Sequence, residues 1–151
     1  MPDPLIVQVQ SAIQAVVVPL SAPVPEARVY SRSVLEYSPD RDGCPAVIVA
    51  PTPGRIVTRR KTLSKIEIVY PFTVILSDGQ GGSFKTDPVW RAGWADVVAA
   101  ALHGTSLTDV SEVVRIAPDG QTILDLTAWE QAGIWRAAVS VLVTCRTGLS
   151  G

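Results

Sequence analysis

The sequence predicts an α+β fold, with a mainly antiparallel sheet of about 4–6 strands and two helices packed on one face. Two segments, 2–19 and 87–104, carry apolar residues at helical spacing, and an Asp-Pro pair stands at the start of each. The other apolar segments are short, and they alternate or run continuously as strands do. No internal repeat divides the 151 residues, so a single domain over 1–151 is expected.

The ends of both predicted helices are marked by residues that favour those positions. The first helix is expected to begin at Asp3 and Pro4, because aspartate caps free amide groups and proline needs no hydrogen bond in the first turn. Pro19 is expected to end this helix. The second helix carries Trp94 on its apolar stripe, and Gly104 is expected to be its C-terminal stop.

Two segments in the middle of the chain have the composition of strands. Residues 44–50 form a short apolar, β-branched run, which predicts a strand buried on both faces. Residues 66–76 alternate between apolar and other side chains, the clearest half-buried strand pattern in the chain. Pro71 falls inside this pattern and cannot donate to a strand ladder, so the strand is expected to be an edge or to be bulged there.

The last third of the chain predicts further strands. Segments 111–116 and 121–126 flank the turn residues 118–120, and this arrangement predicts a β-hairpin. Residues 134–146 are apolar on both faces at their centre, as in a central strand. Residues 147–151 are expected to be a loose tail.

Composition limits the classes of function. Hydrophobic residues make up 47% of the chain and charged residues 18%, against a usual ~25%, which indicates a large core or a surface covered by a partner. The net charge of −1 gives no general attraction to nucleic acid or to an anionic membrane. No apolar run reaches the ~18 residues of a membrane span, and the N-terminus lacks a basic signal-peptide region, so synthesis in the cytoplasm is expected.

The sequence offers little for catalysis or for metal binding. Cys44 and Cys145 each adjoin an apolar run and are expected to be buried free thiols, with a disulfide between them as the alternative. His103 is expected to lie in the last turn of the second helix, and no catalytic motif accompanies it. The glycine-rich residues 79–82 lack the phosphate-loop pattern. We therefore expect no catalytic residue, no metal, no cofactor and no enzymatic activity.

A basic segment precedes the alternating strand and is the most informative feature for function. One interpretation is a solvated strand edge whose charges deter pairing with other chains. The other is a hairpin arm over residues 52–65 that contacts an acidic partner or nucleic acid, although the absence of aromatic residues there weakens binding of single strands. The candidate oligomer-interface or channel-facing residues are Arg55, Arg59, Arg60, Lys61 and Lys65.

The order of elements resembles a known family, the tail terminator and neck proteins of long-tailed bacteriophages. The resemblance covers about residues 5–146 and is one of element order, without a catalytic or binding motif, so no functional residue is carried over. The elements that carry it are the Asp3-Pro4 helix, the strand at 45–49, the basic segment leading into 70–76, the 87–104 helix, the 118–120 hairpin and the closing strand at 135–143.

This resemblance implies a structural virion protein that joins tail to head. Such a subunit forms a ring, most often a hexamer, at the head-proximal end of the tail, where it stops polymerisation of the tail tube. The implied partners are other copies of itself, the tail-tube protein and the head connector or another neck protein, with DNA passing through the channel without sequence readout. No membrane partner is expected. The alternative is a non-viral α+β domain with a small-ligand-binding or regulatory role.

Overall fold

Within the residues that it describes, a computed structural model of the chain shows two helices and seven strands, and it confirms the α+β class and the mainly antiparallel sheet. The structure describes residues 4–20, 29–33, 46–53, 56–62, 64–79, 88–103, 107, 110–119, 123–125 and 134–148. The elements in chain order are α1 (Leu5–Leu20), β1 (Val29–Ser31), β2 (Ala46–Pro51), β3 (Val57–Arg60), β4 (Lys65–Gly79), α2 (Pro88–Leu102), β5 (Val113–Pro118), β6 (Ile123–Asp125) and β7 (Ile134–Gly148).

The sheet is organised around the long antiparallel pair of β4 and β7. Each strand has 15 residues, and they pair without interruption from Lys65 opposite Gly148 to Gly79 opposite Ile134. A ladder of this length extends roughly 50 Å. β2 and β3 pair with the outer edge of β4, and β5 and β6 pair with the outer edge of β7. β1 is parallel to β2, so the seven segments lie in five rows.

Pro71 lies in an inner strand that pairs with β7 without a bulge, so the prediction of an edge or a bulge at Pro71 is wrong. β2 pairs with residues 72–77 and β3 with residues 66–69, so Pro71 faces the interval between them. The backbone N–H of Thr52 donates to the carbonyl of Pro71 at 3.0 Å. Proline is tolerated here because its missing N–H falls where the neighbouring row is interrupted.

The predicted hairpin at residues 118–120 is wrong. β5 pairs with residues 141–145 and β6 with residues 136–138, so both follow the same edge of β7 in one direction. The N–H of Asp119 donates to the carbonyl of Ser140 at 2.9 Å, so the contact with β7 continues one residue beyond β5. Both short segments pair with the long apolar strand β7, and they do not pair with each other. The turn residues therefore interrupt a row without reversing it.

The helix bounds lie close to the predicted ones. α1 ends one residue beyond Pro19, which lies in its last turn. The carbonyl of Pro4 accepts from the N–H groups of Val7 and Gln8, at 2.9 and 3.1 Å, so Pro4 immediately precedes the first helical residue. Asp3 and Gly104 lie outside the described residues. Neither described helix is long and apolar enough to cross a membrane.

The hydrophobic core is one cluster of buried side chains that come from both helices and from alternate strand residues. α1 and α2 contact each other and both contribute to the cluster. Residues 46–50 of β2 are fully buried, as the apolar run predicts. Its members include Val9, Ile13, Val17, Phe72, Val74, Leu76, Trp94, Val98, Leu102, Ile116, Val141 and Val143.

On the opposite face of the sheet, a row of hydroxyl groups crosses three strands. Thr73 is buried, and its Oγ1 lies 2.5 Å from Oγ1 of Thr52 and 3.0 Å from Oγ of Ser140. Because a hydroxyl both donates and accepts, the row satisfies its own members without charged partners. This face therefore tolerates polar side chains at buried positions.

Helix α1 is attached to the sheet by two glutamine side chains. The Nε2 group of Gln10 donates to the carbonyls of Arg32 and Val49, at 2.8 and 3.0 Å. Gln14 Nε2 donates to the carbonyl of Val29 at 2.7 Å, and its Oε1 accepts from the Ser31 hydroxyl at 2.7 Å. These bonds give donors to carbonyls in and beside β1, and the carbonyl of Val49 accepts from the backbone N–H of Arg32 as well. They also fix the position of α1 along the sheet.

Cys145 is a free and buried thiol, as predicted, whereas Cys44 lies outside the described residues. Burial raises the pKa of the Cys145 thiol to about 11, with a smaller contribution from the negative charge of Glu112. The ordinary value is 9.0. The neutral thiol is therefore the form that the folded protein holds near neutral pH.

We predict that Gln10→Ala lowers the free energy of unfolding by about 1–3 kcal/mol, because it removes two partly buried hydrogen bonds, to the carbonyls of Arg32 and Val49. Urea unfolding followed by circular dichroism measures this change. Ser11→Ala, at an exposed position on the same helix, is the control and should stay within about 0.5 kcal/mol of the wild type. Equal effects of the two substitutions would contradict the role of the Gln10 amide.

We predict that Cys145 reacts with a thiol reagent at pH 8 about a hundredfold more slowly in the folded protein than in urea, because the raised pKa lowers the thiolate fraction by that factor. A Cys44→Ser background leaves one thiol to count. The absorbance of the released reagent gives both rates. Equal rates in the folded and unfolded protein would contradict the prediction, because they would show that the Cys145 thiol is accessible and that its pKa is not raised.

Candidate functional site

The structure describes part of the basic segment that the sequence singles out. Arg59 on β3, Lys61 in the turn after it and Lys65 at the start of β4 are all exposed. Arg60 lies on β3 opposite Ile66. Arg55 lies outside the described residues. Three of the five predicted residues are therefore exposed around the β3–β4 turn.

β3 and the first residues of β4 form an antiparallel hairpin. Arg59 pairs with Glu67, and the N–H of Lys61 donates to the carbonyl of Lys65 at 3.0 Å to close the turn. The same residues of β4 also pair with β7 as far as Gly148. The basic segment is thus one border of a broad sheet and not a detached arm.

The strand register collects basic residues from three strands and the β3–β4 turn around one open groove of about 460 Å³. We call it the basic groove. Its lining residues are Arg59, Lys61, Glu67, Val114, Arg115, Thr144 and Arg146. Four of these seven are cationic and one is a carboxylate, so the groove has an excess of three positive charges.

The basic groove lies on the face of the sheet opposite the hydrophobic cluster. Arg59 pairs with Glu67, which pairs with Arg146 on β7, and Arg115 of β5 pairs with Thr144. Side chains alternate between the two faces along a strand. The neighbour Cys145 belongs to the cluster, so Thr144 and Arg146 point to the other side.

Glu67 is the one carboxylate in the lining of the groove, and it is 8% exposed. Its Oε2 accepts from Nε of Arg146 at 3.3 Å and lies 3.5 Å from Nζ of Lys61. Desolvation by burial acts to raise the pKa of Glu67, but the Arg146 hydrogen bond and the Lys61 charge outweigh it and hold the pKa below the ordinary value of 4.5. Glu67 is therefore charged at neutral pH and orders two of the four cations.

The other two cations of the groove are available for a partner. Within the part of the chain that the structure describes, neither Arg59 nor Arg115 forms an ion pair. A guanidinium group presents a planar fork that matches a carboxylate or a phosphate. Exposed Val57 and Val114, at 38% and 46%, add apolar surface beside these charges. The groove can bind an anionic group that is flanked by apolar atoms.

The described residues contain no cluster of histidine, cysteine or carboxylate side chains that could hold a metal ion. His103 is exposed just after α2. The prediction of no catalytic or cofactor residue stays a prediction. The chemistry that the groove offers is charge pairing and surface contact.

Sequence reasoning found Arg59 and Lys61 but missed Arg115, Arg146 and Glu67. Arg115 and Arg146 are isolated basic residues, each in a strand with mostly apolar neighbours, and only the pairing of β5 with β7 brings them to the groove. Glu67 had a signal in the sequence, because it is an acidic residue within the alternating strand pattern. Its position opposite Arg59 depends on the register of β3.

Comparison with known proteins gives a likeness of fold. No family model matches the sequence, and no curated protein matches it. Chains of solved structures do match, and one of them belongs to a structure described as the virion of a native gene transfer agent (GTA) particle. The match has a TM-score of 0.56 and 16% sequence identity, and it covers 91% of this chain and 96% of that chain. The two chains share a fold.

We predict that Glu67→Gln reduces the dependence of stability on pH in the acid range. Because the folded-state pKa of Glu67 lies below 4.5, its charge stabilises the fold above that pH, and the stabilisation is lost as the pH falls through 4.5 to the lowered value. The difference in unfolding free energy between the wild type and Glu67→Gln should therefore shrink from pH 7 to pH 3. Urea unfolding at a series of pH values measures it.

Asp119→Asn is the matched control for this experiment, since it removes an exposed carboxylate outside the groove. Its pH dependence should follow that of the wild type. A Glu67→Gln protein whose stability falls with acid as steeply as the wild type would contradict the role of the Glu67 ion pairs.

Proposed function

We propose that this chain is a structural subunit of a phage-like particle, and that it acts as a tail terminator or neck protein at the junction of tail and head. The observation that carries this proposal is the shared fold with a chain of a gene transfer agent virion, over nearly the full length of both chains. The order of elements in the sequence resembles the tail terminator and neck family independently of that comparison. The proposal gives the chain no enzymatic role.

The partners in this proposal follow from the ring. Copies of the chain make head-to-tail contacts that close under rotation, most often with six copies, and the ring then stops growth of the tail tube. One face of the ring meets the tail-tube protein and the other meets the head connector or another neck protein. The net charge of −1 suits a channel through which DNA passes without being read.

We infer in addition that both helices pack on the same face of the sheet. Both contribute to a single cluster, whose strand members are alternate residues such as Phe72 and Val74 on β4 and Val141 on β7. The two helices also contact each other. Helices on one face leave the basic groove, on the opposite face, exposed to neighbouring molecules.

The alternative of a small-ligand or regulatory domain has less support. Pockets for small ligands are concave and lined mainly by apolar and aromatic side chains. The basic groove is open and is lined by five charged residues, one threonine and one valine. Such a lining suits contact with the surface of another macromolecule.

We predict that the protein is found at the head–tail junction of the particles encoded beside its gene. A copy with an affinity tag, labelled with gold and imaged by electron microscopy, should give one cluster of label per particle at the junction. Particles assembled without the protein should contain heads separated from tails, and the tails should vary in length because nothing ends tube growth.

Particles that carry the untagged protein are the control for non-specific gold. Label spread along the tail or over the head would contradict the terminator role but keep a virion role. Gradient-purified particles that lack the protein altogether would overturn the virion proposal. So would a gene neighbourhood of metabolic enzymes without tail-tube or portal genes.

A further inference from the structure

The charge of the basic groove is opposite to that of the rest of the chain. The groove holds four basic residues and one acidic residue. Removing these five from the chain's 13 basic and 14 acidic residues leaves nine basic and 13 acidic, an excess of four negative charges. The surface of a second copy outside its own groove is therefore complementary to the groove in charge.

Helix α2 presents an acidic and apolar surface that fits the groove. Asp96 is exposed, and it forms no ion pair within the described part of the chain. Val97 beside it is 50% exposed, one of the two most exposed large apolar side chains among the described residues. Gly93, one turn earlier, is also exposed and has no atom within 4 Å of the position of an added Cβ, so backbone there is open to close approach.

We propose that the basic groove is the docking site for the exposed surface of α2 on a second copy of this chain. The Asp96 carboxylate of the incoming copy would pair with the guanidinium groups of Arg59 and Arg115, which have no ion pair in the described part of the single chain. Val97 would pack on the exposed Val57 and Val114. This inference rests on the proposed function, because it names the contact by which ring subunits join.

The lining of the groove favours a protein partner over nucleic acid. Glu67 pairs with Lys61 and Arg146, so two cations of the groove, Arg59 and Arg115, are left for a partner, which suits a single carboxylate better than a run of phosphates. Exposed valines beside arginines are typical of protein interfaces, whose centres are apolar and enriched in arginine. The chain also has no overall positive charge to attract nucleic acid.

The proposed contact joins two different surfaces of the chain. The groove residues lie on the face opposite the cluster to which α2 contributes Trp94 and Val98. Because the groove and the exposed surface of α2 face away from each other, two copies cannot make this contact in both directions, so one groove and one α2 surface stay free in every dimer. Repetition of the contact therefore produces a closed ring or an open filament and not a symmetric dimer.

A charge exchange tests the proposal. Arg115→Asp and Asp96→Arg should each weaken self-association about tenfold or more, because each places like charges opposite one another. The association constant of the double variant should return to within about threefold of the wild-type value, since the ion pair between positions 96 and 115 is restored with its charges exchanged. Sedimentation velocity over a range of protein concentrations measures the association constants.

Asp119→Arg, at an exposed acidic position outside both surfaces, is the matched control and should associate as the wild type does. Thermal unfolding checks that each variant folds. If a charge-reversed variant does not fold, Arg115→Gln and Asp96→Asn should still weaken association, by a smaller factor. Full-strength association of these folded variants would overturn the proposal.

Other outcomes also decide the proposal. A wild-type protein that stays monomeric up to about 100 μM, or a double variant that is no stronger than the single ones, overturns the contact. Binding of a fluorescent DNA duplex that Arg115→Asp abolishes and Asp96→Arg does not restore would make the groove a nucleic-acid site instead. Rings that form equally well in all variants would overturn this contact but would not contradict the virion role. Absence of the protein from purified particles would contradict the virion role but not the contact.

Discussion

The uninterrupted pairing of β4 with β7 is the interaction on which the rest of the structure depends. These strands are far apart in the sequence, yet all 15 residues of each find a partner in the other. Every shorter strand except β1 pairs directly with one of them, and β1 pairs with β2. The same ladder sets which side chains enter the core and which line the basic groove. A substitution that weakens the β4–β7 ladder would therefore disturb both the core and the basic groove.

The outer rows show how the sheet accommodates residues that break strands. On one side, Thr52, which follows β2, donates its N–H to the carbonyl of Pro71, and on the other Asp119, which follows β5, donates its N–H to the carbonyl of Ser140. In each case two short strands follow one long strand in the same direction. The interruptions are confined to the outer rows, so the central ladder keeps its register.

The sequence was sufficient for features that depend on local pattern. The alternation through residues 66–76 predicts β4, the apolar run at 44–50 predicts a fully buried β2, and helical spacing with Pro19 predicts α1. Features that depend on which strands meet were not predictable in this way. The residues at 118–120 are those of a tight turn, but a turn sequence does not say whether the following segment has a better partner, and β7 is that partner. For the same reason the sequence predicted only part of the groove, namely Arg59 and Lys61. Arg115 and Arg146 join Arg59 only through pairings between distant segments.

Alternation along β4 and β7 also links folding to assembly. Because groove and core side chains occupy alternate positions of the same strands, a slip of one residue in the β4–β7 pairing would turn Cys145 and Val143 outward and bury Arg146. A chain in the wrong register would therefore lose its partner surface at the moment it lost its core. Misfolded copies would therefore not bind to a growing particle, and the particle would incorporate only subunits that had already folded correctly.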